Sequence, residues 1–184
     1  MKRVLQDQLV NNMSIRILAV GDICPGDKSI IGHGVLSNTL KFGAGFPFEH
    51  VRDFLRKGDI VIGNLEGMLT TRVKTSEWKK LPFCGLPEFA NALVDAGFSI
   101  INISNNHVFE HGEDIFHETV EFLRNAGLKI CGLRSQGTKF YSEPVIIESD
   151  GVRCGLIAYN WIGVNAHPGA DRFISQSYDS IVNY

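Results

Sequence analysis

Asn105, Asn106 and His107 follow directly on the apolar run 98–103 and precede a helix-forming segment that Glu113 opens. An amide oxygen and an imidazole at the carboxyl end of a buried strand stand where open α/β sheets gather ligand-binding groups. Two other segments repeat the arrangement: residues 15–20 run into Gly21-Asp22, and residues 60–62 run into Gly63-Asn64-Leu65-Glu66. Parallel strands present their C-terminal ends to one cleft, so the three clusters are expected to converge. Hard oxygen donors with a few imidazoles suit Mn, Fe, Zn or Mg better than metals that prefer thiolate. Asp22, Glu66 and Asn106 are therefore the candidate metal ligands, and the two oxygens of Glu66 could bridge a pair of ions. Paired ions activate a water and stabilise charge on a phosphoryl or carbonyl oxygen. His107 is the candidate catalytic acid, protonating the leaving group or hydrogen-bonding the substrate oxygen. Asn64, Asn105 and His111 are candidate substrate contacts. A lone Gly-Asp after a strand is most often a turn. Three such elements at successive strand ends weigh toward a site.

The elements that must position these groups can be read from hydrophobic pattern. Residues 14–20, 98–103 and 128–131 read as strands, with 60–62 as the core of another. Residues 22–45 are glycine-punctuated and are expected to form a long functional loop. Residues 47–57 read as a helix with Phe48, Val51, Phe54 and Leu55 on one face and Pro47 in the first turn. Residues 67–82 lack periodicity and are expected to be an exposed loop or irregular hairpin, followed by a short edge strand at 83–85. Residues 86–96 read as a helix that buries Phe89, Leu93 and Val94 and stops at Gly97. The clearest helix is 113–126, where Ile115, Phe116, Val120, Phe122 and Leu123 form an apolar stripe ended by Gly127. Residues 144–148 and 152–160 flank Ser149-Asp150-Gly151 and read as an antiparallel hairpin, which makes the expected sheet mixed. The expected fold class is thus α/β, a layered mixed sheet flanked by helices.

A chain of 184 residues with 44% hydrophobic content can bury one substantial core, so one domain over residues 14–184 is expected after a frayed stretch at 1–13. A net charge of −2 with interspersed signs offers no basic face for nucleic acid. The start of the chain has no continuous apolar region of the signal-peptide kind, and no run approaches the roughly 20 apolar residues that span a bilayer. A cytoplasmic protein is expected from this pattern, or one peripheral to the cell envelope. Cys24, Cys84, Cys131 and Cys154 are widely spaced, as in reduced thiols that pack as small core residues. Cys24 lacks the partner pattern of a nucleophile. His33, His50 and His117 read as surface groups, and Trp78 and Trp161 as packing residues.

These residues resemble the bacterial capsule-synthesis proteins of the CapA (PGA_cap) type, which look like relatives of the calcineurin-like metallophosphoesterases. The resemblance lies in Gly21-Asp22, in the segment from Asp59 to Gly67 containing Asn64-Leu65-Glu66-Gly67, and in Asn105-Asn106-His107 with Glu110 and Gly112. It extends through Glu118-Thr119 and Leu123 to Gly132. It implies an αββα-type layered fold, a dinuclear-type cleft holding Mn, Fe or Zn, and a role in making poly-γ-glutamate or a related capsule polymer. Asp22, Glu66 and Asn106 then match metal ligands and His107 the acid. An anionic polymer or phosphoester is the implied substrate, and a membrane complex for capsule synthesis the implied partner. The alternative is a non-catalytic polymer-binding or assembly component. Cys24 stands where calcineurin-like enzymes carry a His, and Glu110-His111 where the family usually has Asp and an aromatic residue. The family's His-Trp-Gly and Gly-His-His-Pro-His segments do not occur, and His167-Pro168-Gly169 does not replace them. With a helix-like pattern beginning at 179–184, a domain incomplete at its C-terminus is expected.

Overall fold

The computed structural model describes residues 14–27, 34–74, 80–134 and 144–160. Four parallel strands form its main sheet in the order β1-β2-β5-β6: β1 (Ile17–Ile23), β2 (Ile60–Leu65), β5 (Ile100–Asn102) and β6 (Lys129–Cys131). The connections carry α1 (Val35–Phe42), the short α2 (Arg52–Leu55), α3 (Phe89–Ala96) and α4 (Glu113–Asn125). A two-residue parallel pair, β3 (Met68–Leu69) with β4 (Cys84–Gly85), and an antiparallel hairpin, β7 (Val145–Ser149) with β8 (Val152–Leu156), complete the described elements.

Strand alternation sorts the core into two layers. Val61, Leu65, Ile101 and Ile103 turn to one face of the sheet, where they pack with Phe48, Leu55, Phe89, Leu93, Phe116, Val120 and Leu123 of the helical layer. Ile60, Ile62, Ile100 and Cys131 turn to the other, where Val145, Ile147, Cys154 and Leu156 of the hairpin cover them. The α/β class therefore holds. The antiparallel strands do not join the main sheet but lie on its second face as a sheet of their own. The Asp150-Gly151 turn has positive φ at both residues, 48° and 76°, as a two-residue hairpin loop requires.

Several boundaries differ from the sequence expectation. The first strand runs to Ile23, so Asp22 lies within it. The segment expected to be one long loop contains α1, closed at its base by Asp27, whose carboxylate accepts the Ser37 N–H. The expected helix at 47–57 is broken into a 3-10 turn at Phe46–Phe48 and the four residues of α2. Phe48 and Leu55 are buried, but Val51 and Phe54 are exposed, because that side opens on a cleft instead of the sheet. Val94 is also exposed. The stretch expected to be an exposed loop instead buries Met68, Leu69, Thr70 and Val73. The readings made for residues 1–13, His33, Trp78, Trp161, His167-Pro168-Gly169 and residues 179–184 fall outside the described residues.

Thr119 joins α4 to β3. Its buried hydroxyl accepts the Leu69 N–H at 2.9 Å and donates to the Ile115 carbonyl at 2.8 Å. Thr119→Val keeps the shape and strands the Leu69 N–H away from water, which costs about 1–3 kcal/mol. The urea midpoint is expected to fall accordingly with an unchanged slope.

Candidate functional site

The three sequence clusters meet at the carboxyl ends of β1, β2 and β5. In β2, Ile60, Ile62 and Asn64 alternate onto one face, so the polar end of the file continues the apolar row packed under the hairpin. Parallel register sets Asn64 beside Asn102 on one side and Asp22 on the other. The pairing with Asp22 depends on a shift in β1: Ala19 pairs with Ile62, yet Asp22 pairs with Asn64, so β1 spends one extra residue over that interval. Without this bulge Asp22 would point to the opposite face.

Asn64 is the centre of the arrangement. Its Nδ2 donates to Asp22 Oδ1 at 2.7 Å and to Glu66 Oε2 at 2.7 Å. Its Oδ1 accepts from Asn102 Nδ2 at 2.7 Å and Asn105 Nδ2 at 3.0 Å. Asn105 is buried and also ties the loop together, donating to the Leu65 carbonyl at 2.8 Å while its Oδ1 accepts the His107 and Val108 N–H groups. That cap sets the direction in which His107 leaves the strand end. Asn106 is half-buried in the same loop and takes no part in the amide network.

His107 is held on two sides. Its Nδ1 lies 2.7 Å from Glu110 Oε2, an acceptor that fixes the proton on Nδ1. Its Nε2 then points toward Glu66, with Oε1 at 4.0 Å. Phe83 stacks on the imidazole with ring centroids 4.3 Å apart, from a backbone at φ 62° that an aromatic residue rarely adopts. His111 is drawn away, its Nε2 donating to the Pro82 carbonyl at 2.8 Å. Asn102 and Phe83 are groups that reading the sequence missed. Asn102 is hidden inside an apolar strand, and nothing local to Phe83 signals its left-handed backbone.

Burial pushes the Glu66 carboxyl above the ordinary carboxylate range, and the neighbouring Asp22 charge adds to this, while the Asn64 hydrogen bond and His107 oppose it. Between the ordinary value and the raised one the folded protein binds more protons than the unfolded chain, so stability falls as pH rises through that window. Glu66→Gln retains an acceptor for Asn64 and removes this liability. In metal-free protein its stability advantage over the parent is expected to grow as pH rises above about 4.5, the ordinary value, and then to level off, as read by urea unfolding.

Burial also raises the Cys24 thiol, and it takes Cys84 to about 12 and Cys131 to about 11. Such thiols carry little thiolate at neutral pH, as expected of packing residues and not of nucleophiles. Cys24 and Asp22 line one end of an apolar cleft of about 460 Å³ whose other walls include Val20, Val35, Val51 and Phe54.

The donor set fits a divalent cation in chemistry. Asp22 and Glu66 each use one oxygen on the Asn64 amide, which leaves Oδ2 and Oε1 as hard donors, and a half-buried carboxylate beside an exposed second one gains from a cation. Among the described residues there is no group of three His, Cys, Asp or Glu side chains arranged to hold a metal ion. Asn106 would have to add an amide oxygen to the two carboxylates.

The chain is similar in sequence to known proteins. A family model described as bacterial capsule synthesis protein PGA_cap matches residues 16–180. The chain belongs to that family. It is 25% identical over 151 residues to the capsule biosynthesis protein CapA of Bacillus anthracis, covering 80% of this chain and 35% of that protein. It is 28% identical over 114 residues to the PGA biosynthesis protein CapA of Bacillus subtilis (strain 168), covering 61% of this chain and 28% of that one. An uncharacterized protein, y4sH of Sinorhizobium fredii, is 27% identical over 108 residues, covering 56% and 23%. The chain thus spans about a third or less of the length of these relatives. All the candidate site residues fall within the segment that the PGA_cap model matches. No helix among the described residues is long and apolar enough to cross a membrane.

Proposed function

We propose that this PGA_cap protein holds a divalent cation, Mn, Fe or Zn, at Asp22 and Glu66 with Asn106, and hydrolyses a phosphoester or a γ-glutamyl amide during capsule polymer synthesis. The observation that carries the proposal is the sharing of one amide. Asn64 Nδ2 donates to one oxygen of each carboxylate, which leaves Oδ2 of Asp22 and Oε1 of Glu66 for a ligand, the latter 4.0 Å from the His107 imidazole. A cation bound there would activate water and offset charge on the substrate oxygen. The chain's own residues do the rest. Glu110 keeps the proton of His107 on Nδ1, which reserves Nε2 for exchanging a proton with the leaving group. Asn105 holds the backbone of that histidine in place. A complete dinuclear centre would need ligands in addition to these. The relatives named CapA are capsule and PGA biosynthesis proteins, so the proposed substrate is an anionic polymer or its phosphoester precursor. The proposed setting is a capsule-synthesis complex at the membrane, which this protein would join peripherally.

The absence, among the described residues, of a three-residue His, Cys, Asp and Glu cluster favours a second reading, a polymer-binding or assembly component that keeps the fold without turnover. Metal content, Mn²⁺ binding and turnover of an aryl phosphodiester and of poly-γ-glutamate separate the two. The first reading expects metal-dependent turnover that falls at least about a hundredfold in Glu66→Ala, a loss larger than that typical of residues behind the ligands. No bound metal and no turnover, with polymer binding insensitive to chelator, would establish the second.

A further inference from the structure

Side-chain amides can present either end to a neighbour, and the partners decide which. In this site the decision is made by backbone groups that cannot be reversed. The Ser104 N–H donates to Asn102 Oδ1 at 2.9 Å, which turns Asn102 Nδ2 toward Asn64. The His107 and Val108 N–H groups donate to Asn105 Oδ1, each at 3.0 Å, which turns Asn105 Nδ2 toward the same atom, Asn64 Oδ1. Both acceptor positions of the Asn64 oxygen are then filled, and both of its N–H bonds are directed at Asp22 Oδ1 and Glu66 Oε2. Reversing Asn64 would set its oxygen against two carboxylates and its NH₂ against two other NH₂ groups. The relay has one stable polarity.

We infer that Asn102 is a positioning residue of the site: through Asn64 it presents Asp22 and Glu66 as a preset pair of acceptors, with Oδ2 and Oε1 left for a cation. Asn102 touches neither carboxylate, and the parallel register that aligns Asp22, Asn64 and Asn102 across three strands transmits its orientation. This rests on the reading that the two carboxylates hold a divalent cation. Preorganised ligands bind more tightly because the side chains need not be ordered on binding, and groups behind the ligands are typically worth about 10–100-fold in metal affinity.

Polarity supplies the test. Asn102→Asp is isosteric and still accepts the Ser104 N–H, but it offers Asn64 an acceptor where a donor stood. Asn105 and the two carboxylates still hold Asn64 in its original sense, so the new carboxylate opposes the Asn64 oxygen directly and pushes the side chain out of line with Asp22 and Glu66. Asn102→Leu deletes the donor without opposing Asn64, which Asn105 still orients. In folded, metal-loaded samples the Mn²⁺ dissociation constant is expected to rise about 10–100-fold for Asn102→Asp and by a smaller factor for Asn102→Leu. In metal-free wild-type protein the two Asn64 Nδ2 protons are expected downfield and protected from solvent exchange by NMR. An unchanged Mn²⁺ affinity in folded Asn102→Asp, or Asn64 amide protons that exchange at the rate of a free side chain, overturns the relay. Should wild-type protein bind no Mn²⁺, the cation reading fails, and the metal-free Asn64 spectrum still decides the relay.

Discussion

Asn64→Leu is expected to cost about 3–5 kcal/mol of stability and to abolish the proposed cation binding. The substitution removes four side-chain hydrogen bonds at once, two given and two received. The net value of each is about 1 kcal/mol, but a donor left without a partner away from water costs more than the bond itself contributed. Asn105 is buried, and one branch of its donor is orphaned, although the Leu65 carbonyl still receives the other. The carboxylates of Asp22 and Glu66 lose the amide they share, which no longer offsets their mutual repulsion. Leucine has the same branched heavy-atom skeleton as asparagine, which directs the test chiefly at polarity. Urea unfolding gives the stability, and Mn²⁺ titration of the remaining folded protein gives the binding. A loss below about 1 kcal/mol with affinity retained would show that Asn64 is not the centre of the site.

Gly67→Ala is expected to be of similar size, about 3 kcal/mol or more, for a reason that has nothing to do with charge. Gly67 sits at φ +154°, and a Cβ built there would lie 2.2 Å from the Phe83 carbonyl oxygen and 3.0 Å from Pro25 Cδ. The first neighbour is backbone and cannot move alone. It accepts the Met68 N–H at 3.2 Å, which opens the β3–β4 pair. Pushing it away breaks that bond and shifts Phe83, whose ring rests on His107. Gly67 also follows Glu66 directly, so the same displacement reaches the carboxylate. The variant should therefore lower the melting temperature and change the His107 ring resonances together. A destabilised protein with an unchanged His107 environment would show that the Phe83 stack is independent of this turn.

The fates of particular residues show what kind of information the sequence carries. Asp22, Glu66 and Asn105-Asn106-His107 were legible as strand-end groups because short apolar runs precede each of them, and burial of such runs in a parallel sheet is dictated by composition alone. Helix α4 was legible for the same reason, since its apolar stripe has only one surface to bury against. The segment at 47–57 misled. Val51 and Phe54 have the spacing of a buried face, but after the 3-10 turn at Phe46–Phe48 that face looks into a cleft beside Asp22. Periodicity records which residues are apolar, and it does not record what lies opposite them.

By itself, then, the sequence determined the α/β class, the order of the main elements, membership of the PGA_cap type and the three chain segments that meet at the candidate site. Tertiary structure decided how those segments work as one. The extra residue in β1 turns Asp22 to the face of Asn64, the register of β2 and β5 sets Asn102 behind it, and the turn at Gly67 carries Phe83 onto His107. Each of these is a contact between residues distant along the chain. Local propensity fixes a strand and its alternation, whereas the register between strands, and with it the polarity of an amide, is fixed only when both faces of the sheet are packed.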